Sequence, residues 1–162
     1  MKRKHLYLFL VINIFAIVLY SSVVAQPIPP FKMLLTNGRT FYAKDLPRGR
    51  PVIIIYFSPD CEHCQTLMNA FFKKANDFKR AEIVMVTFRP LSEVAGFEKA
   101  YKISRYSNIK VGTEVPVFFF KMYFNLLKTP FTVLYNKQGQ YSYSYREQTP
   151  IDDLQMRLKM LK

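Results

Sequence analysis

From Val52 to Phe57 the chain reads Val-Ile-Ile-Ile-Tyr-Phe, with no polar residue that could face water. A continuous β-branched run of this length, bounded by Pro51 and by Ser58-Pro59, predicts a strand buried on both faces. The period then changes. After Cys61 the apolar residues Leu67, Phe71, Ala75 and Phe78 recur at three- and four-residue steps, which predicts an amphipathic helix. Glu82 to Phe88 returns to the continuous apolar type. The three segments together form a right-handed strand–helix–strand unit with parallel pairing.

On either side of this unit the pattern predicts smaller elements. Phe31 to Thr36 and Arg39 to Tyr42 flank Asn37-Gly38, a strong hairpin signal. Ser92 caps an expected helix from Glu93 to Ile103, and Ser104 to Thr113 reads as a polar loop. Val115 to Leu127 is the most apolar internal run, broken by Lys121 and Asn125. It is too short to span a bilayer and reads as a buried core helix, or else a partner-facing one. Phe131 to Tyr135 and Gln140 to Arg146 flank Asn136-Lys137-Gln138-Gly139 as a second hairpin. Alternation places the rings of Tyr141, Tyr143 and Tyr145 on one face, as cover for the last helix. That helix opens with Thr149 as N-cap and Pro150 at N1. Ile151, Leu154, Leu158 and Leu161 form its buried stripe.

The N-terminus changes the picture of where this domain works. Lys2-Arg3-Lys4 precede an apolar stretch from Leu6 to Tyr20, and Val23 and Ala25 fit the −3 and −1 positions of a cleavage site. Residues 1–25 read as a secretory signal, or as a retained membrane anchor. Either way the remainder is exported, to the periplasm or cell envelope. Residues 26–30 form a proline-rich linker, and residues 31–162 one domain with one core. The chain is half hydrophobic, which makes it a folding rather than a disordered sequence. Formal net charge is +13. In a cytoplasmic protein that balance would raise nucleic acid as a partner; export removes it. The charge then describes a lysine-rich surface, with acidic partners or anionic headgroups as the other reading.

Only two cysteines are present, Cys61 and Cys64. A zinc site needs about four ligands; His63 and His5 are the only histidines, and nothing completes the set. Haem attachment needs histidine directly after the second cysteine, where Gln65 stands. A structural disulfide across this spacing closes a very small loop and constrains the unfolded chain little. A redox pair accounts for more. At a helix start the first thiol meets unpaired N–H groups and the positive end of the dipole, which favour the thiolate. The second, one turn later, can resolve a mixed disulfide. Cys61 is then the nucleophile and Cys64 the resolving thiol.

Val-Ile-Ile-Ile-Tyr-Phe-Ser-Pro-Asp-Cys-Glu-His-Cys-Gln resembles the strand–turn–CxxC–helix start of thioredoxin-like proteins. Lys128-Thr129-Pro130 before the strand Phe131–Tyr135 is similar to the family's second signature, a cis-proline facing the cysteine pair. The first hairpin and the extra helical sequence between Phe88 and Pro130 resemble the TlpA-like exported thiol–disulfide branch. The resemblance implies an α/β thioredoxin-like fold: a central mixed β-sheet flanked by helices, with an N-terminal β-hairpin and a helical insert. It also implies that Thr129 and Pro130 shape the substrate groove, and that no diffusible cofactor is needed.

The sequence departs from the family pattern. No tryptophan precedes the motif, and no acid lies in the strand Val52–Phe57, where thioredoxins often bury a proton-shuttling carboxylate; Glu82 is a weak substitute. Glu62 and His63 pull the neighbouring thiol in opposite directions, leaving the direction of electron flow open.

The expected function is an extracytoplasmic thiol–disulfide oxidoreductase. Its partners would be the thiols and disulfides of exported proteins and, for a reductase, a membrane-bound electron donor. The alternatives are a Cu(I) metallochaperone using Cys61, Cys64 and His63, or a non-catalytic module. A peroxidatic role fits less well, because Ser58 stands where peroxiredoxins carry threonine.

Overall fold

A computed structural model describes residues 26–161. The expected export segment, residues 1–25, lies outside the described residues. Seven strands form one sheet in the order β2-β1-β5-β4-β3-β6-β7. They are β1 (Lys32–Leu34), β2 (Thr40–Tyr42), β3 (Val52–Tyr56), β4 (Glu82–Thr87), β5 (Ile109–Glu114), β6 (Phe131–Tyr135) and β7 (Tyr141–Arg146). β3, β4 and β5 are parallel; β1 runs antiparallel to β5, and β6 antiparallel to β3. Among the described residues four α-helices accompany the sheet: α1 (Glu62–Lys73), α2 (Leu91–Tyr101), α3 (Phe119–Tyr123) and α4 (Ile151–Met160).

β3 lies between β4 and β6, and every residue in it is buried, as its unbroken apolar run requires. Its side chains alternate between two cores. Ile53, Ile55 and Phe57 join the core formed with α1, α2 and α4; Val52, Ile54 and Tyr56 join the other, with Phe120 and Phe124 of the α3 region. The strand therefore ends, at Tyr56 and Phe57, in contact with both layers.

Several expected elements take a different form. Ser104–Thr113 is not a polar loop throughout, since its second half forms β5, with Ile109 and Val111 facing the larger core. Gly112 in this strand lets β1 approach: a Cβ there would sit 2.6 Å from the Leu34 carbonyl oxygen. The helical insert is thus helix, strand and short helix. Val115–Leu127 is not a core helix. Only Phe119–Tyr123 is helical, and Phe118 before it and Asn125 after it are both left-handed, at φ 67° and 50°. Phe120 and Phe124 bury, whereas Val117, Phe118 and Met122 face outwards.

Tyr141 does not share a face with Tyr143 and Tyr145. A register shift beside Tyr135 pairs Tyr141 with that residue, on the opposite side of the sheet. Tyr143 and Tyr145 do cover α4, through the Arg157 guanidinium over the Tyr143 ring and a 2.7 Å bond from the Tyr145 hydroxyl to Asp153. Thr149 does not cap α4. Its hydroxyl meets that of Thr132 at 2.8 Å, and Pro150 takes the cap position. The proline-rich lead-in is held against the last hairpin, with Tyr141 N–H donating to Gln26 and Ile28 N–H to Gly139.

Candidate active site

β3 delivers the chain to the rim of the sheet, where Ser58-Pro59-Asp60 turns it into α1. Cys61 is the N-cap of that helix, with extended φ and ψ of −85° and 122°. The turn is braced locally. Cys61 N–H donates to the Ser58 carbonyl at 3.2 Å, and the Gln65 side-chain amide donates to the Pro59 carbonyl at 2.9 Å. The Ser58 hydroxyl donates to Asp60, whose carboxylate also lies 3.6 Å from Arg89. The Ser58 bond and the Arg89 charge hold Asp60 below the usual carboxylate range.

The two cysteines, both free thiols, occupy different environments. Cys61 is partly exposed, and its Sγ lies 3.5 Å from the backbone carbonyl oxygen of Thr129. Cys64 is 1% exposed, in the core with Met68 and Phe57, and its sulfur accepts the Ser58 N–H at 3.5 Å. Burial opposes ionisation of Cys61, but hydrogen bonds from the Cys64 thiol and from the first N–H groups of α1 outweigh it, so its pKa falls below the ordinary thiol value. Burial pushes Cys64 up to about 12. Two thiols one turn apart are thus split into one that ionises more readily than an ordinary thiol and a protonated reserve.

The Thr129–Pro130 peptide bond is cis, at the start of β6. Thr129 is half-buried and Pro130 buried. Glu62 and His63 are exposed on the first turn of α1. They line a groove of about 610 Å³ that continues to Glu147, Thr149 and Pro150. Thr129 itself lines a smaller cavity of about 170 Å³, together with Tyr56, Phe88, Phe118 and Leu127. Among the described residues no group of three or more potential ligands is placed to hold a metal ion.

Glu82 cannot serve Cys64. It pairs with Val52 at the start of β3, whereas the cysteines follow the strand's other end, four residues or about 13 Å away. There it forms an ion pair with Arg50 at 2.6 Å. The buried carboxylate near the functional end is Glu114, which the sequence pattern did not single out. It is 1% exposed and accepts the Tyr56 hydroxyl at 2.8 Å and the N–H groups of Phe118 and Phe120 at 2.9 and 2.8 Å. Desolvation raises its pKa. Its only sequence signal was the alternation Ile109-x-Val111 leading up to it, which marks the strand that carries it.

The sequence matches the AhpC/TSA family over residues 24–157, and the chain belongs to that family. No curated protein matches it. Solved structures with the same fold include a secreted Mycobacterium tuberculosis disulfide oxidoreductase homologous to E. coli DsbE. It is 18% identical, with 82% of this chain and 96% of that one covered at a TM-score of 0.67. The exposed lipoprotein thioredoxin of Streptococcus pneumoniae is 18% identical over 82% of this chain and 100% of that one, with a TM-score of 0.62. A peroxiredoxin-like protein from Aquifex aeolicus is 14% identical over 86% and 87%, at 0.68. The thioredoxin-like fold is common to all three. With the family established and a vicinal thiol pair at the head of α1, this protein is a thiol–disulfide oxidoreductase.

Proposed function

We propose that this protein works outside the cytoplasm, exchanging disulfides with exported proteins through Cys61 and Cys64. The observation that carries the reading is the division of the pair. Cys61 is accessible, favours the thiolate and lies against Thr129 beside Pro130; Cys64 is buried and protonated behind it.

In the reducing direction the Cys61 thiolate attacks one sulfur of a client disulfide. That S–S bond breaks, the other client sulfur leaves as a thiolate and takes up a proton, and a Cys61–client disulfide forms. Cys64 then gives up its proton and attacks Cys61 Sγ, releasing the second client thiol. Two electrons have passed to the client, and Cys61 and Cys64 are joined. A membrane-bound dithiol donor restores the pair by the same steps in reverse order. Thr129 and Pro130 form the floor on which the client cysteine is laid, and Glu62 and His63 border its path.

Export is supported by the basic, apolar and small-residue order of residues 1–25. It fits a fold shared with a secreted disulfide oxidoreductase and a lipoprotein thioredoxin. In the described residues no helix is long and apolar enough to cross a membrane. The test is acid-quenched alkylation of the protein in its native host, combined with envelope fractionation and intact mass. A mature chain starting at Gln26, outside the cytoplasm and with the pair cycling under a disulfide or thiol challenge, is the expected result. A cytoplasmic chain, or a pair inert to both challenges, contradicts it.

A further inference from the structure

The α3 region exposes apolar side chains that the exchange chemistry does not use. Leu127 is 88% exposed, Met122 80%, Val117 52% and Phe118 44%. Single exposed hydrophobics are ordinary on a protein surface; clustered ones mark interaction sites. Here Phe118 and Leu127 wall one cavity of about 170 Å³, and that wall runs on to Thr129, whose carbonyl touches the Cys61 thiol. The cavity is well below the roughly 300–1,000 Å³ of small-molecule sites, so its size suits one side chain rather than a cofactor.

The segment is held in this outward form. Glu114 accepts the N–H groups of Phe118 and Phe120, and Phe118 keeps a φ of 67° that a bulky residue rarely adopts. The charges around it are asymmetric. Lys121 stands at the cavity mouth, its ammonium 5.6 Å from the centre of the Phe118 ring, with no carboxylate partner among the described residues. The other groove, beside the first turn of α1, carries the carboxylates of Glu62 and of Glu147, the latter paired at 3.2 Å with Lys128, a second cation lining the cavity. An acidic group on a bound chain is attracted to the first side and repelled from the second.

We propose that the α3 segment is a docking surface for the client polypeptide. It receives an apolar side chain close to the client cysteine, with an adjacent acidic residue directed to Lys121. This rests on the exchange reading of Cys61. The site therefore selects clients by the chain around their cysteine and sets the direction in which that chain crosses Cys61.

The test uses the reduced full-length protein and short peptides, each with one cysteine blocked as its mixed disulfide with 2-mercaptoethanol. Leucine and aspartate flank the cysteine in one peptide, leucine and lysine in a second, glycine and aspartate in a third. Exchange oxidises the protein to its Cys61–Cys64 disulfide and releases the peptide thiol and mercaptoethanol. Bis(2-hydroxyethyl) disulfide reports the chemistry without docking. At low ionic strength the leucine–aspartate peptide is expected to react at least about threefold faster than the leucine–lysine one, a difference that salt removes. Lys121→Glu inverts that ratio, and Leu127→Asn abolishes the advantage of leucine over glycine. If the small disulfide reacts while the ratios stay at unity, or ignore both substitutions, the docking surface is wrong. If the small disulfide does not react, the exchange reading fails. The docking surface then stands or falls on fluorescence anisotropy with the same peptides carrying serine for cysteine: the same charge order, inverted by Lys121→Glu, supports it, and its absence overturns it.

Discussion

Cys61 Sγ lies 3.5 Å from the Thr129 carbonyl oxygen, which joins the start of α1 to the residue before the cis proline 68 positions later. In the proposed exchange, a client cysteine bonded to Cys61 would lie along the Thr129–Pro130 backbone. Cys64 faces the core on the other side of the helix turn. Accessibility and protonation both separate the two thiols, and they do so in the same sense.

The separation sets a pH dependence. A thiol reacts as its anion, so its alkylation rate rises with pH through its own pKa. The Cys61 value is lowered, so its rate should level off below the ordinary thiol value near 9.0. Cys64, raised to about 12, should stay unlabelled throughout that range. Iodoacetamide labelling resolved by site in a mass spectrometer measures both profiles.

Glu114 is a brace for the rim of the site. Glu114→Ala leaves the Tyr56 hydroxyl and two backbone N–H groups without their buried acceptor, and should destabilise the fold by about 2–4 kcal/mol in urea unfolding. Burial raises its folded-state pKa above the ordinary 4.5, so the folded form holds the proton longer than the unfolded form. Its contribution is then fully present below pH 4.5 and declines as pH rises through the folded value. Glu114→Gln lacks that decline, so the stability difference between the two proteins should shift towards the variant across the same window.

Glu82 should have no part in exchange. It neutralises Arg50 at the far end of β4, so Glu82→Gln should leave the rate of disulfide exchange unchanged while weakening the tie between Arg50 and the end of that strand. Exchange assays with a small disulfide, beside thermal unfolding, separate the two effects.

How far the chain could be read depended on how its residues bury. β3, β4 and α1 announced themselves because each face they bury leaves a regular apolar period, and the placement of Cys61 at a helix start followed from that. β5 was hidden because its alternation is short, with Ile109 and Val111 its only large apolar residues, and Gly112 is there for backbone approach to β1 rather than for burial. The run Val115–Leu127 misled for the opposite reason. Its apolarity is split between Phe120 and Phe124 inside and Phe118, Met122 and Leu127 outside, a division that composition alone does not express. The shared face expected of three tyrosines failed at a register shift, which has no signature in an alternating Tyr-Ser sequence. Glu114 escaped because its partners, Tyr56 and the Phe118 segment, meet it only through the sheet and the turn into α3.

The assignment of roles to the two thiols is tested most directly by trapping. Cys64→Ser should accumulate mixed disulfides with client proteins, because attack by Cys61 succeeds and resolution cannot follow. Cys61→Ser should accumulate almost none, because the remaining thiol is buried and protonated. Both variants are expressed at native level, extracts are alkylated, and adducts are resolved on non-reducing gels and identified by mass spectrometry. Adducts confined to Cys64→Ser are the predicted result; equal trapping by the two variants, or trapping by Cys61→Ser alone, would contradict the account.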